Sequence, residues 1–166
     1  MKILIVEDWW ADRLRFQYLL EPVPELSFDF AWSAGRPPKG GRVWPIDRIV
    51  GVAQKYDRIV IDLALNKQDE DQFRQAHNWN DAEFSKREKG LAKEITGLRL
   101  ISALASRSSR AAMSDKCIIT SAHVYDQLRD YCVRTWGIVD TFHKWSDEED
   151  IIRTLYDSSL RSSRGR

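Results

Sequence analysis

Three short apolar runs constrain this chain more than any other feature: residues 2–6 (KILIV), 58–65 (RIVIDLAL) and 117–120 (CIIT). Each is too short for a buried helix, lacks the alternation of a strand with one wet face, and is rich in β-branched residues. Such runs read as strands covered on both faces, the arrangement of a parallel sheet between two layers of helices. Parallel neighbours need crossover connections, and the intervening segments supply them. From Trp10 the spacing turns helical, placing Leu14, Tyr18 and Leu19 on one face until Pro22 and Pro24 forbid continuation. Residues 26–32 (LSFDFAW) alternate as an outer strand, and Gly35, Pro37, Pro38, Gly40 and Gly41 then impose a loop. A short helix is expected around 46–55.

After the second run the pattern loosens. Residues 66–96 are charged and poor in aliphatics, a long polar insertion with a helix expected from about Asp81. Helical spacing returns through Leu98, Ile101 and Leu104 and ends in the Ser- and Arg-rich stretch 106–110. Residues 124–136 form another amphipathic helix, and Ile138 to Phe142 a fifth strand after Gly137. Ser146, with acids at 147–149, has the spacing of a capped N-terminus for a last helix carrying Ile151, Ile152 and Leu155. The fold class is therefore α/β: a doubly wound, five-stranded parallel sheet with helices on both faces and a long insertion after the third strand. One domain is expected over 1–160, followed by a disordered basic tail at 161–166.

Composition removes several functions. A formal net charge of +1, with 31% charged residues, gives no field that would draw the chain to nucleic acid or anionic lipid. The apolar run 3–6 is too short for a signal peptide or a membrane span, so the cytoplasm is the expected location. Cys117 and Cys132 have no CxxC spacing and read as reduced core thiols. No glycine-rich loop of the kind that cradles phosphates follows any strand, which disfavours nucleotide binding. The three histidines, His77, His123 and His143, show no metal-type spacing, so no zinc is expected.

In sheets of this kind chemistry gathers at the carboxyl ends of the strands. Those ends carry Glu7 and Asp8, then Asp62, then Thr120 and Ser121, and finally Lys144. A single carboxylate inside an apolar strand, as Asp62 is, asks for a partner. Crowded carboxylates raise one another's pKa unless a cation intervenes, and an oxygen-only set suits Mg²⁺. Lys144 adds a positive charge able to pair with Asp62.

These motifs together resemble the bacterial response-regulator receiver domains (CheY-like) of two-component signalling, over nearly the whole chain apart from the insertion and the tail. KILIVED is similar to that family's first strand and acidic pair, IVIDLAL to its phosphoacceptor strand, IITSA to the strand ending in a hydroxyl residue and Ala, and GIVDTFHK to the strand leading to its lysine. The resemblance implies that Asp62 accepts a phosphoryl group from a histidine kinase or phosphotransfer protein. It further implies that Asp8, Asp62 and the backbone carbonyl of Ala64 ligate Mg²⁺, with Glu7 assisting through water. Ser121 and Lys144 would then close on the phosphate and alter the surface of the 124–136 helix, the fifth strand and the last helix, which a downstream protein partner reads. Ala64 and His123 fall where the resemblance places control of dephosphorylation.

The sequence also departs from that family. Thr141 stands where an aromatic switch residue is usual, leaving Phe142 as the neighbouring replacement, and Trp145 follows Lys144 in place of a proline. The insertion emerges beside Asp62 as a lid or a partner-binding arm. Trp9, Trp10, Trp79 and Trp145 are candidates to line the crevice or an interface. Three readings follow: a stand-alone receiver that is a phosphoacceptor and not an enzyme in the turnover sense, a phosphorylation-independent pseudo-receiver, or a Mg²⁺-dependent phosphatase. The last would lack its usual general acid, because Ala64 occupies the position two beyond Asp62.

Overall fold

A computed structural model of the chain describes residues 1–31, 44–122 and 126–163. The Gly- and Pro-rich loop at 35–41, His123 and the last residues of the tail lie outside them. Five strands, β1 (Lys2–Val6), β2 (Ser27–Ala31), β3 (Arg58–Asp62), β4 (Cys117–Ser121) and β5 (Thr141–His143), form one sheet in the order β2-β1-β3-β4-β5, every pair parallel. The three apolar runs are its three central strands, and β3 and β4 are buried at every position. This is the doubly wound, flavodoxin-like arrangement read from the sequence. The order steps outward in both directions from β1 and β3, which leaves a crevice at their carboxyl ends.

Helices α1 (Trp10–Leu20), α2 (Ile46–Val52), α3 (Lys67–His77), α4 (Asp81–Glu94), α5 (Thr96–Ala105), α6 (Arg110–Lys116), α7 (Asp126–Trp136) and α8 (Glu148–Ser163) cover the sheet. Strand alternation splits the core in two. Ile3, Ile5, Val60, Ile118 and Phe142 face α1 and α8, while Leu4, Val6, Ile59, Ile61 and Ile119 face the helices of the other layer.

Several expectations change in detail. Helix α1 presents Asp12, Phe16, Leu19 and Leu20 to the sheet, and Leu14 and Tyr18 point outward, 42% and 71% exposed. The helix carries two apolar stripes, and the one with Phe16, Leu19 and Leu20 packs on the sheet and brings Asp12 to its partner Lys144. β3 stops at Asp62. β5 is confined to Thr141–His143: Gly137 ends α7 in the left-handed region at φ 77° and its N–H donates to the Val133 carbonyl, so Ile138 packs in the core before the strand begins. α8 opens on the Asp147 carbonyl, which accepts from Ile151 N–H, one residue later than the Ser146 cap expected. Its span continues to Ser163, into the stretch expected as tail.

The insertion is helical throughout most of its length. Asn66 caps α3 by accepting from Asp69 N–H at 2.9 Å, and Phe73 and Ala76 anchor the helix in the core. Asn80 and Glu83 form a reciprocal capping box at the start of α4, with bonds of 3.0 and 3.1 Å. Helix α4 then docks on α7 through a Phe84–Tyr131 edge contact, a Glu88–Arg134 pair at 3.0 Å, and a bond from Gln127 to Asp81. The insertion is thus a helical pair laid against the domain. The Ser- and Arg-rich stretch leads into α6, which Ser109 caps by accepting from Ala112 N–H.

Candidate functional site

Glu7 and Asp8 follow β1, Asp62 ends β3, and Lys144 follows β5, so parallel register brings residues far apart in sequence to one end of the sheet. The Lys144 ammonium lies 2.8 Å from Asp62 Oδ2, 2.9 Å from Glu7 Oε2 and 2.8 Å from Asp12 Oδ2. Glu7 and Asp62 are wholly buried and Lys144 is 9% exposed. Carboxylate oxygens of Glu7, Asp8 and Asp62 lie within 4.8 Å of one another and could hold a metal ion. Asp62 Oδ1 accepts from Ala64 N–H at 3.2 Å, and Glu7 Oε1 accepts from Trp9 N–H at 3.0 Å.

Electrostatically the cluster is over-supplied with acid. Three carboxylates touch one ammonium and that of Asp8 stands beside them, so the ammonium stays charged while the acids compete for protons. Burial, reinforced by Glu7, raises the Asp62 carboxyl well above its ordinary range despite Lys144. Burial also pushes Glu7 up to about 7 against the opposing pull of Lys144, and raises Asp8. Burial alone would lower Lys144, yet Asp62, Glu7 and the Asp12 hydrogen bond hold it above its usual value. Oxygen donors with unneutralised negative charge are what a hard divalent cation such as Mg²⁺ requires.

Thr120 is the register partner of Asp62, and its buried hydroxyl has no hydrogen-bond partner. Ser121 is the next residue, buried at the end of β4, and its carbonyl accepts from Lys144 N–H at 3.4 Å. The His143 ring accepts from Trp145 N–H on Nδ1 and donates from Nε2 to the Ala122 carbonyl at 3.1 Å, tying the ends of β4 and β5. Phe142 packs edge-on against Phe16 in the core beneath α1, with no part in the exposed surface.

A cleft of about 390 Å³ opens above the cluster, walled by Asp8, Trp9, Trp10 and Ala64 on one side and by Asn66, Lys67 and Glu70 from the start of α3 on the other, with Lys144 at its floor. Trp79 does not line it, lying instead under Arg87 in the insertion. Cys117 and Cys132 are buried free thiols, their pKa pushed up to about 12 by burial, which leaves them unreactive.

Two residues escaped the sequence reading. Asp12 is a buried acid on α1 in contact with Lys144, and its signal was a carboxylate at helical spacing from Phe16 and Leu19. Arg15, one turn on, donates to the carbonyls of Lys144 and, at 2.6 Å, Ser146. No pattern in sequence announces a side chain that binds backbone carbonyls.

Behind Asp62 the packing is tight. Gly97 N–H donates to the Leu63 carbonyl at 3.2 Å, and a Cβ at Gly97 would lie 2.5 Å from both the Asp62 carbonyl oxygen and Leu63 Cα. Asp69 staples the adjoining loop to α5 by accepting from Leu65 N–H and from the N–H and hydroxyl of Thr96.

No protein-family model matches the sequence, and no curated protein does. Solved structures do match in shape. A two-component response regulator from Clostridium difficile superposes with a TM-score of 0.61 at 14% identity, covering 98% of each chain. The response regulator receiver protein from Pseudoalteromonas atlantica gives 0.60 at 11% identity over 98% of this chain and 99% of that one. Chemotaxis protein CheY4 of Vibrio cholerae gives 0.58 at 13% over 95% and 97%. At such identities the likeness is one of fold, and the fold is that of response-regulator receiver domains. Among the described residues no helix is long and apolar enough to cross a membrane.

Proposed function

We propose that this receiver-fold chain is a phosphoacceptor: Asp62 takes a phosphoryl group from a phosphohistidine-bearing kinase or phosphotransfer protein, and the resulting state is passed on by protein contact. The supporting observation is the convergence of Asp62 and Glu7 on one ammonium, that of Lys144, with Asp8 completing the acidic group beside them, below an open cleft. In the transfer an Asp62 carboxylate oxygen forms the new bond to phosphorus as the phosphorus–nitrogen bond breaks, and the imidazole leaves with its electron pair. Asp8, Asp62 and the Ala64 carbonyl would hold Mg²⁺, with Glu7 assisting, and the ion supplies neutralisation of charge on the transferring group. Lys144 contributes a second positive charge, and Ser121 a hydroxyl donor, to the phosphoryl oxygens.

The chain's only chemistry in this reading is its own phosphorylation and dephosphorylation, so it is a signalling element and not a turnover enzyme. Trp10, Leu14 and Tyr18 form an exposed stripe on α1 that runs from the cleft's lip, continuous with the site, and this is where the phosphodonor protein would rest. The pseudo-receiver reading draws on α4, which occupies part of α7 and so alters the surface expected to transmit a signal.

Incubation with Mg²⁺ and acetyl phosphate, followed by intact-mass measurement, separates these readings. The expected product is an acid-stable, base-labile adduct of one phosphoryl group that is absent in Asp62→Asn. A wild-type protein that stays unmodified, or an Asp62→Asn variant that gains the same adduct, would remove the phosphoacceptor reading.

A further inference from the structure

Helix α1 carries no strand-end residue, yet it reaches Lys144 twice. Asp12 Oδ2, on a residue only 6% exposed, is as close to the ammonium as Asp62 is, at 2.8 Å. One turn later the Arg15 guanidinium holds the carbonyls of Lys144 and Ser146. Asp12 is also set apart from the other acids. It binds the ammonium without belonging to the Glu7, Asp8 and Asp62 group whose oxygens could hold a metal.

We propose that α1 positions Lys144 from both ends, Arg15 fixing its backbone and Asp12 offering its ammonium a second seat outside the metal-holding carboxylates. The inference rests on the phosphoacceptor reading. A divalent cation among Glu7, Asp8 and Asp62 repels the ammonium at short range in a poorly solvated site. With Glu7 and Asp62 as its only partners, the ammonium would compete with that cation or swing into solvent. Asp12 lets it keep a charge-assisted hydrogen bond while it yields Asp62, and it stays beside the place where a phosphoryl group arrives. Arg15 keeps the backbone from following the side chain, a task suited to its planar fork of donors. Both are positioning residues, since each acts through Lys144.

The test reads the lysine itself. In ¹⁵N-lysine-labelled protein, proton exchange of the Lys144 ammonium is measured with and without saturating Mg²⁺ for wild type, Asp12→Asn and Arg15→Lys. Asp12→Ser serves as a second variant should the asparagine fail to fold by circular dichroism. Without metal, Asp12→Asn should exchange about tenfold faster than wild type, as expected for the loss of one charge-assisted hydrogen bond, with Arg15→Lys shifted in the same direction. With Mg²⁺ the wild-type ammonium should remain slowly exchanging while that of Asp12→Asn becomes as fast as an exposed lysine. Equal rates in wild type and the Asp12 variants would overturn the second seat and leave the acetyl phosphate result standing. Failure of Mg²⁺ to perturb any resonance of the site would overturn the metal reading, and the seat's purpose with it.

Discussion

Raising the pH through neutrality should weaken this fold. Glu7 is wholly buried, and its carboxyl, near 4.5 when unfolded, is pushed up to about 7 in the folded chain. The sign follows from proton affinity. The folded state binds the proton more tightly, so the benefit is full below the unfolded value and is lost as pH rises through the folded one. At about 1.4 kcal/mol for each tenfold difference in proton affinity, ionising Glu7 inside the fold costs about 3 kcal/mol. Asp62, Asp8 and Asp69 are displaced in the same direction and add to the slope. Lys144, held above its usual value, stays charged across this range and contributes a constant amount. The remaining charges near Glu7, those of Asp12 and Arg13 on α1, do not reverse the trend. Urea unfolding in the presence of a chelator, from about pH 5 to about pH 8, should therefore show stability falling by about 3 kcal/mol. Glu7→Gln should flatten most of that fall, and Mg²⁺ added at the upper end should restore stability by binding the ionised set. A chelated protein whose stability is level or rises over this interval, or a Glu7→Gln variant with the wild-type slope, would refute the reasoning.

Two further substitutions test the packing behind the site. Gly97→Ala should destabilise by about 2 kcal/mol or more despite alanine's better helix propensity, because the new methyl meets backbone and not a yielding side chain; chemical denaturation checks it. Asp69→Ala strands the N–H groups of Leu65 and Thr96, buried donors that cost about 1–3 kcal/mol each when unpaired, and amide exchange at both positions should accelerate.

The central sheet was legible because β1, β3 and β4 each hold a short β-branched apolar run without polar alternation, a pattern few other structures satisfy. The site was legible for a related reason: polar residues ending such strands have nowhere to go except one edge of the sheet. What stayed hidden depends on tertiary contact. α1 offers two apolar stripes, and packing against the sheet turns inward the one with Phe16, Leu19 and Leu20, which carries Asp12 to Lys144. α3 reads as polar because its core contribution is Asp69, Phe73 and Ala76, a single narrow seam whose first member is itself an acid. The shortness of β5 follows from Gly137, whose left-handed backbone takes the chain into the core as Ile138 before the strand can start.

The helical insertion leaves and rejoins the domain through one doorway. Asn66, at its entrance, donates to the Thr96 hydroxyl at its exit over 3.0 Å. An excursion whose two ends already touch adds little closure entropy and does not reroute the sheet. Replacing these helices with a bridge of a few residues would therefore leave β3 and the carboxyl ends of the strands undisturbed.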